Sequence, residues 1–314
     1  MPSIDMPLSE LRQYKPPLTR ADDFDDYWSE ALTESQALPF DPRITPCAYP
    51  AEGVELFDVE LAAYGGGVIS CRLMKPVGKT GLPAIVFYHG YSGMGPLPFS
   101  LLPWACQGFV AMGVDCRGQG GRSTDGAAYP GGHRPGFMTQ GIEHPKQYYY
   151  RYAYVDCVRA LDWLAEQDDV DSARMGIAGG SQGGGLTLSV AALSDRPKLA
   201  IPEVPYLCHF RRSVDIAAAG PYREISDWLR WRPETAEQSW RTLSYVDGMN
   251  LADRIRCRTV ITVGLWDDIC PPSSIFAAFN HIQADKQIEV FDFMGHECPP
   301  HFAEAKFELV RTGL

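Results

Sequence analysis

Met175-Gly176-Ile177-Ala178-Gly179-Gly180-Ser181-Gln182-Gly183, followed at once by Leu186-Thr187-Leu188-Ser189-Val190-Ala191-Ala192, is the stretch that decides how this chain folds. The apolar run Met175 to Ala178 reads as a strand and the residues after Gly183 as a helix, with G-x-S-x-G as the turn between them. Glycines let such a turn close tightly and bring helix and strand together, which holds a serine hydroxyl out at the top of a sheet. A serine held in that way is a candidate nucleophile. Glycine-rich turns between strand and helix are common in parallel α/β proteins, so the five residues need partners before the functional reading outweighs a structural one.

The chain has 314 residues, 45% of them hydrophobic, which is enough to bury a full-sized core in one large α/β domain. A formal net charge of -11 argues against nucleic acid and against an anionic membrane surface, since each needs a basic face. The opening residues show no basic segment followed by an apolar one, and no later run has the length to span a bilayer. A cytoplasmic protein is the expectation. Nine cysteines stand singly, without a C-x-x-C pair or a histidine at metal-ligand spacing, as reduced thiols do in a reducing compartment. Cys298 lies two residues past His296, and the reading preferred for it is a buried small hydrophobe.

Neither repeats nor long linkers divide the chain, so a single domain over 1–314 with decorations is the simplest account. Residues 1–50 read as an N-terminal arm, helical from Phe24 to Ala37. Val54 to Ala62 and Val68 to Met74 form a hairpin about Tyr64-Gly65-Gly66-Gly67. Strands then alternate with helices: Ala84 to Tyr88, a helix near Leu101 to Gln107, Phe109 to Val114, a long helix, Met175 to Ala178, and the helix after the elbow. Alternation of this kind implies a mostly parallel central sheet covered on both faces. In the long helix Tyr150, Tyr154, Cys157, Leu161 and Leu164 make one apolar stripe toward the sheet. Leu199 to Val204, Thr259 to Val263 and Gln287 to Phe293 are the remaining strands, and Pro300 to Val310 is the closing helix. Residues 210–250 are a helical, cap-like insertion between the sixth and seventh strands, in which Trp228, Trp231 and Trp240 read as structural anchors.

Serine is a poor nucleophile at neutral pH, so the elbow asks for a histidine base, an acid to orient it and donors for an oxyanion, in the chain order Ser, Asp or Glu, His. His296 lies just beyond the last strand and is the candidate base, with His301 as the fallback. The acid belongs in the loop after the preceding strand, where Asp267 and Asp268 are adjacent and their side chains diverge. The residues themselves barely choose between the two, and one of the pair, taken as Asp268, is read as an N-terminal charge for the helix beginning at Pro271-Pro272-Ser273. The backbone N–H of Gln182 is one oxyanion donor. The second is the N–H of Tyr91 in His89-Gly90-Tyr91-Ser92-Gly93, after the strand ending at Tyr88.

These residues, with Arg117-Gly118-Gln119-Gly120, Cys270-Pro271-Pro272-Ser273 and Gly295-His296-Glu297, resemble the acetyl xylan esterase and cephalosporin C deacetylase family, carbohydrate esterase family seven, over nearly the whole chain. The resemblance implies the α/β-hydrolase fold with helices on both faces of the sheet. In the family's pattern the acid follows Gly-Leu-X, which selects Asp267. It also implies a small acyl pocket, acetyl esters of sugars or of a cephalosporin as substrates, neither metal nor cofactor, and a hexamer. Arg117 to Gly120 reads as structural. Residues 125–144 and the bulky Trp266 depart from the family's pattern and bear on the shape of the pocket. The resulting expectation is a serine esterase working through Ser181, His296 and Asp267 with Tyr91 and Gln182 as oxyanion donors. Its alternatives are a hydrolase of other acyl or peptide specificity and a non-catalytic binding module on the same fold.

Overall fold

The computed structural model describes residues 5–314, so residues 1–4 of the arm lie outside the described residues. Among the described residues ten strands form one sheet: β1 (Arg43–Cys47), β2 (Val54–Ala62), β3 (Gly67–Pro76), β4 (Leu82–Tyr88), β5 (Val110–Val114), β6 (Thr124–Asp125), β7 (Val170–Gly180), β8 (Leu199–Glu203), β9 (Arg258–Gly264) and β10 (Lys286–Phe291). The order across the sheet is β1-β2-β3-β5-β4-β7-β8-β9-β10, with β6 paired to β3. Strands β5, β4, β7, β8, β9 and β10 run parallel to one another. The N-terminal strands β1, β2 and β3 join antiparallel. Parallel neighbours need crossover connections, and the chain supplies helices for them.

The helices are α1 (Leu8–Leu11), α2 (Phe24–Gln36), α3 (Pro98–Cys106), α4 (Tyr149–Ala165), α5 (Gln182–Leu193), α6 (Phe210–Ile216), α7 (Tyr222–Trp231), α8 (Ala236–Val246), α9 (Gly248–Leu251), α10 (Pro272–His281) and α11 (Pro300–Gly313). Ala84, Ile85 and Val86 of β4 and Met175, Ile177 and Ala178 of β7 are fully buried, as strands covered on both faces must be. This is the α/β-hydrolase fold, with the strand-turn-helix of β7, Ser181 and α5 at its centre.

Four features differ from the sequence reading or extend it. The edge strand β1 escaped it because its residues are mostly exposed and include Pro46, so no alternation marks them. The insertion falls between the strands counted sixth and seventh, which become β8 and β9 once β1 and β6 are included; it carries α6 to α9. The turn joining β2 to β3 holds Gly65, Gly66 and Gly67 at φ of 74°, 99° and 94°, which only glycine adopts without strain. Lastly, α4 is not buried along one stripe: Arg151, Val155, Asp156 and Arg159 are buried as fully as Tyr150 and Leu161.

The arm explains that burial. Helix α2 lies over α4, with Trp28 fully buried, its ring stacked on Tyr154 at 5.9 Å and its Nε1–H donating to the Tyr245 carbonyl at 2.9 Å. Arg151 donates to the Tyr27 carbonyl at 3.1 Å, and Arg159 to the carbonyls of Pro39 at 3.0 Å and Ala62 at 3.1 Å. These guanidinium groups therefore donate to backbone oxygens of the arm and of the end of β2, which is what lets cations lie on a buried helix face. Truncating Trp28→Ala should cost about 3–5 kcal/mol of stability, the range for large core aromatics, as read by urea unfolding. A loss below about 1 kcal/mol would show that the arm does not hold the core together.

Candidate functional site

Ser181 sits at φ 57° and ψ -119°, a sparsely populated conformation between β7 and α5. Three backbone hydrogen bonds hold it there: its N–H donates to the Glu203 carbonyl at 2.9 Å, and its carbonyl accepts from Tyr206 at 2.9 Å and Gly185 at 3.0 Å. The glycines around it are there because α5 runs very close to the sheet. A Cβ on Gly183 would stand 2.1 Å from the Tyr88 carbonyl oxygen, and one on Gly185 would stand 2.3 Å from that of Tyr206.

The structure brings Ser181, His296 and Asp267 into one line. His296 Nε2 lies 2.7 Å from Ser181 Oγ, and Nδ1 lies 2.8 Å from Asp267 Oδ2. A carboxylate only accepts, so the ring proton is on Nδ1, and Nε2 is left to accept from the serine hydroxyl. Asp267 is fully buried, and its other oxygen accepts from the N–H groups of Ile269 at 3.0 Å and Cys270 at 2.8 Å. Two backbone donors and an imidazole N–H are what a buried carboxylate needs in place of water. Asp267, Cys270 and His296 also bring potential metal-ligand atoms within 4.8 Å of one another. Burial pushes the Cys270 thiol well up, keeping its proton, and the other two groups already bond each other, so the cluster is accounted for by hydrogen bonding.

The reading of Asp268 is corrected. Asp268 is exposed, and the first turn of α10 is served from the arm instead: Asp5 Oδ2 accepts from the Ser273 N–H at 2.7 Å while Arg212 pairs with Asp5 Oδ1 at 2.9 Å. An acid more than 260 residues away in sequence gives no local signal. His301, the fallback base, is exposed on α11 with its ring edge-on to Phe291. Cys298 is half-buried, 3.1 Å from Thr262 Oγ1, and burial pushes its thiol up to about 12, in keeping with an inert side chain.

Tyr91 follows β4 and faces the elbow: a Cβ on Gly90 would lie 3.9 Å from Ser181 Cβ. Among the described residues the N–H groups of Tyr91 and Gln182 have no protein acceptor. The Gln182 side chain is fully buried and turned away from Ser181, where it exchanges amide hydrogen bonds with Gln119 at 2.9 and 3.1 Å and accepts from the Tyr150 hydroxyl at 3.0 Å. Gln119 Oε1 also accepts from the N–H of Ser92 at 2.9 Å, where φ is 57°. Sequence reasoning set Arg117 to Gly120 aside as structural. For Arg117 the surroundings agree, since it is buried and paired with Asp156 at 2.7 Å and Asp125 at 3.1 Å. Gln119 was missed: it ties the Tyr91 loop to the first residue of α5. His89 adds a further tie, with Nδ1–H donating to the Gly90 carbonyl at 2.7 Å and Nε2 accepting from the Cys116 N–H at 2.8 Å.

The family model described as acetyl xylan esterase (AXE1) matches residues 1–312. The chain belongs to the acetyl xylan esterase family. The acetyl xylan esterase from Paenibacillus sp. R4 is 46% identical and superposes with a TM-score of 0.96, over 98% of this chain and 100% of that one. Acetyl xylan esterase 1 from Thermoanaerobacterium sp. JW/SL YS485 is 32% identical with a TM-score of 0.94, over 98% of each chain. Acetyl esterase Axe7A of Xylanibacter ruminicola is 28% identical over 282 residues, 87% of this chain, which spans 63% of that protein's length. The family is one of carboxylic ester hydrolases, in line with a serine set at the elbow of this fold.

Two glycines of this family member's elbow separate close packing from mere turn-making. Gly183→Ala gains up to about 1 kcal/mol of helix propensity but drives a methyl into a backbone oxygen that has nowhere to go, so a net loss of about 1–3 kcal/mol is expected on chemical denaturation. At Gly180 a Cβ meets nothing within 4 Å, and Gly180→Ala should stay within about 0.5 kcal/mol of the parent. Equal effects would show that the close approach of α5 to β4 does not limit stability.

Proposed function

We propose that the protein is a serine esterase that removes acetyl groups from acetylated sugars, xylo-oligosaccharides foremost, through an acetyl-enzyme. The same acyl group is carried by cephalosporin C, which falls within the proposed range. The observation that carries the reading is the unbroken hydrogen-bonded line from Ser181 Oγ through His296 to Asp267. Family membership supplies the reaction class, and the names of the relatives point to the acetyl group.

In this reading Ser181 Oγ attacks the ester carbonyl carbon while His296 Nε2 takes its proton. The imidazolium that forms is stabilised by Asp267, whose buried carboxylate is already held in place by the Ile269 and Cys270 N–H groups. The carbonyl oxygen becomes an oxyanion between the N–H groups of Tyr91 and Gln182, two donors that have no acceptor among the described residues to give up. His296 then passes its proton to the leaving alcohol oxygen, the C–O bond breaks, and the acetyl group stays on Ser181. A water molecule deprotonated by the same nitrogen attacks the acetyl carbon, the bond to Ser181 Oγ breaks to release acetate, and His296 returns the proton to Ser181 Oγ.

Ser181→Ala should lower turnover of an aryl acetate by on the order of a millionfold, by analogy with the serine-protease measurements. Activity at ordinary levels in that variant would mean another nucleophile. Asp267→Asn should cost roughly four orders of magnitude and the exposed Asp268→Asn far less; the opposite ranking would make Asp268 the orienting acid. A series of aryl esters should show a steep fall in kcat/KM beyond about three acyl carbons. A flat series would favour a hydrolase of broader acyl specificity, and no turnover of any ester would favour a binding module.

A further inference from the structure

The helical insertion reaches the site through one acidic side chain that nothing in the sequence marks. Glu224, on α7, accepts a hydrogen bond from the Tyr91 hydroxyl at 2.7 Å through Oε1 and from the Met138 N–H at 3.1 Å through Oε2. The Tyr91 hydroxyl oxygen in turn accepts from the Phe137 N–H at 2.6 Å. Gly136 completes the cradle: its φ is 112°, and a Cβ there would lie 2.2 Å from both carboxylate oxygens. The backbone at 136–138 is thus shaped around this carboxylate. Glu224 has no cationic partner among the described residues, and burial pushes its carboxyl up while the hydrogen bonds from Tyr91 and Met138 oppose that shift. A half-buried, unpaired acid is a costly way to anchor a helix that already buries Tyr222, Ile225 and Trp228.

We propose that Glu224 is a positioning residue for the reaction, fixing the oxyanion-binding loop by holding the tip of Tyr91. The proposal rests on the reading above that the Tyr91 N–H binds the oxyanion. The loop is clamped at two points. Gln119 holds it by the backbone at Ser92, where φ is positive, and Glu224 holds it by the side chain at Tyr91. Between them the Tyr91 ring stands edge-on to Phe137 at 5.6 Å and to Tyr206 at 6.3 Å, and the Tyr206 N–H is bonded to the Ser181 carbonyl. A rigid ring pinned at its hydroxyl and wedged on both sides leaves its own backbone N–H little freedom to turn. Residues 125–144, which the sequence reading could not match to the family's pattern, supply Gly136, Phe137 and Met138, so the insertion and that stretch act on the site together through this contact.

The test compares Glu224→Ala, Glu224→Gln and Tyr91→Phe with the parent and with Ser181→Ala on 4-nitrophenyl acetate. It also measures the rate at which a 4-nitrophenyl phosphonate, whose adduct is tetrahedral, inactivates each enzyme. Losing one oxyanion donor lowers kcat by about 100- to 1,000-fold, and a donor left in place but loosely aimed should cost about 10- to 100-fold. Glu224→Ala is therefore expected to lose kcat in that range with KM within about threefold, and to lose phosphonate reactivity in step. Glu224→Gln, which keeps one accepting oxygen for the Tyr91 hydroxyl but turns an NH2 group toward the Met138 N–H, should fall between. Tyr91→Phe removes a single oxygen and should match Glu224→Ala, and the double variant should be no worse than either alone. Tyr91→Phe by itself also gives the answer if Glu224→Ala does not fold. Parent-like kcat and phosphonate reactivity in Glu224→Ala or Tyr91→Phe, with or without a lower Tm, would overturn the proposal and leave Glu224 as an anchor of the insertion. If Ser181→Ala keeps its activity, the reading of Ser181 as the nucleophile beside this oxyanion site fails, which is a different outcome from loss at Ser181 with none at Glu224.

Discussion

Ser181 occupies a backbone conformation that an L-residue holds only when its surroundings over-determine it, and most of the architecture can be traced to meeting that demand. Such a conformation costs about 1–3 kcal/mol. It is offset by three backbone hydrogen bonds, two of which reach the end of β8 and the chain just past it at Glu203 and Tyr206. For those bonds to form, α5 has to begin within a Cβ's width of the Tyr88 carbonyl, and only glycine at 183 permits it. The elbow therefore depends on β4, β7 and β8 being parallel neighbours, with their central residues buried between the helical layers.

Around this turn the other residues of the candidate site stand on loops at the carboxyl ends of the parallel strands: Tyr91 after β4, Gln119 after β5, Asp267 after β9 and His296 after β10. Each is held by hydrogen bonds within the protein that do not involve a substrate. Asp267 is fixed by Ile269 and Cys270, Gln182 by Gln119 and Tyr150, and Tyr91 by Phe137 and Glu224. Preorganisation of this kind is what makes fixed dipoles effective toward a developing charge.

The parts of the fold that were legible in the sequence are those with a local signature. Buried parallel strands read as apolar runs, the elbow as a short motif, and the insertion as a break in the alternation between β8 and β9. Strand β1 was illegible because an exposed edge carries no pattern, and the all-round burial of α4 because it comes from α2, more than a hundred residues earlier in the chain. The same division runs through the site. Ser181, His296 and the acidic pair could be located by chain order. Asp5 at the first turn of α10 and Glu224 beneath Tyr91 could not, since an isolated acid in an arm or a helix looks like any solvated charge until the fold brings its partners to it.

The central claim is that an acetyl group passes through Ser181. It is tested most directly by mixing the enzyme with excess 4-nitrophenyl acetate, quenching in acid within the first turnover, and locating added acetyl mass by peptide mass spectrometry. One acetyl group on the peptide that contains Ser181, formed with a burst of nitrophenol, is the expected result. Steady release of nitrophenol with no acetyl on that peptide, or with acetyl on a different residue, would contradict the account.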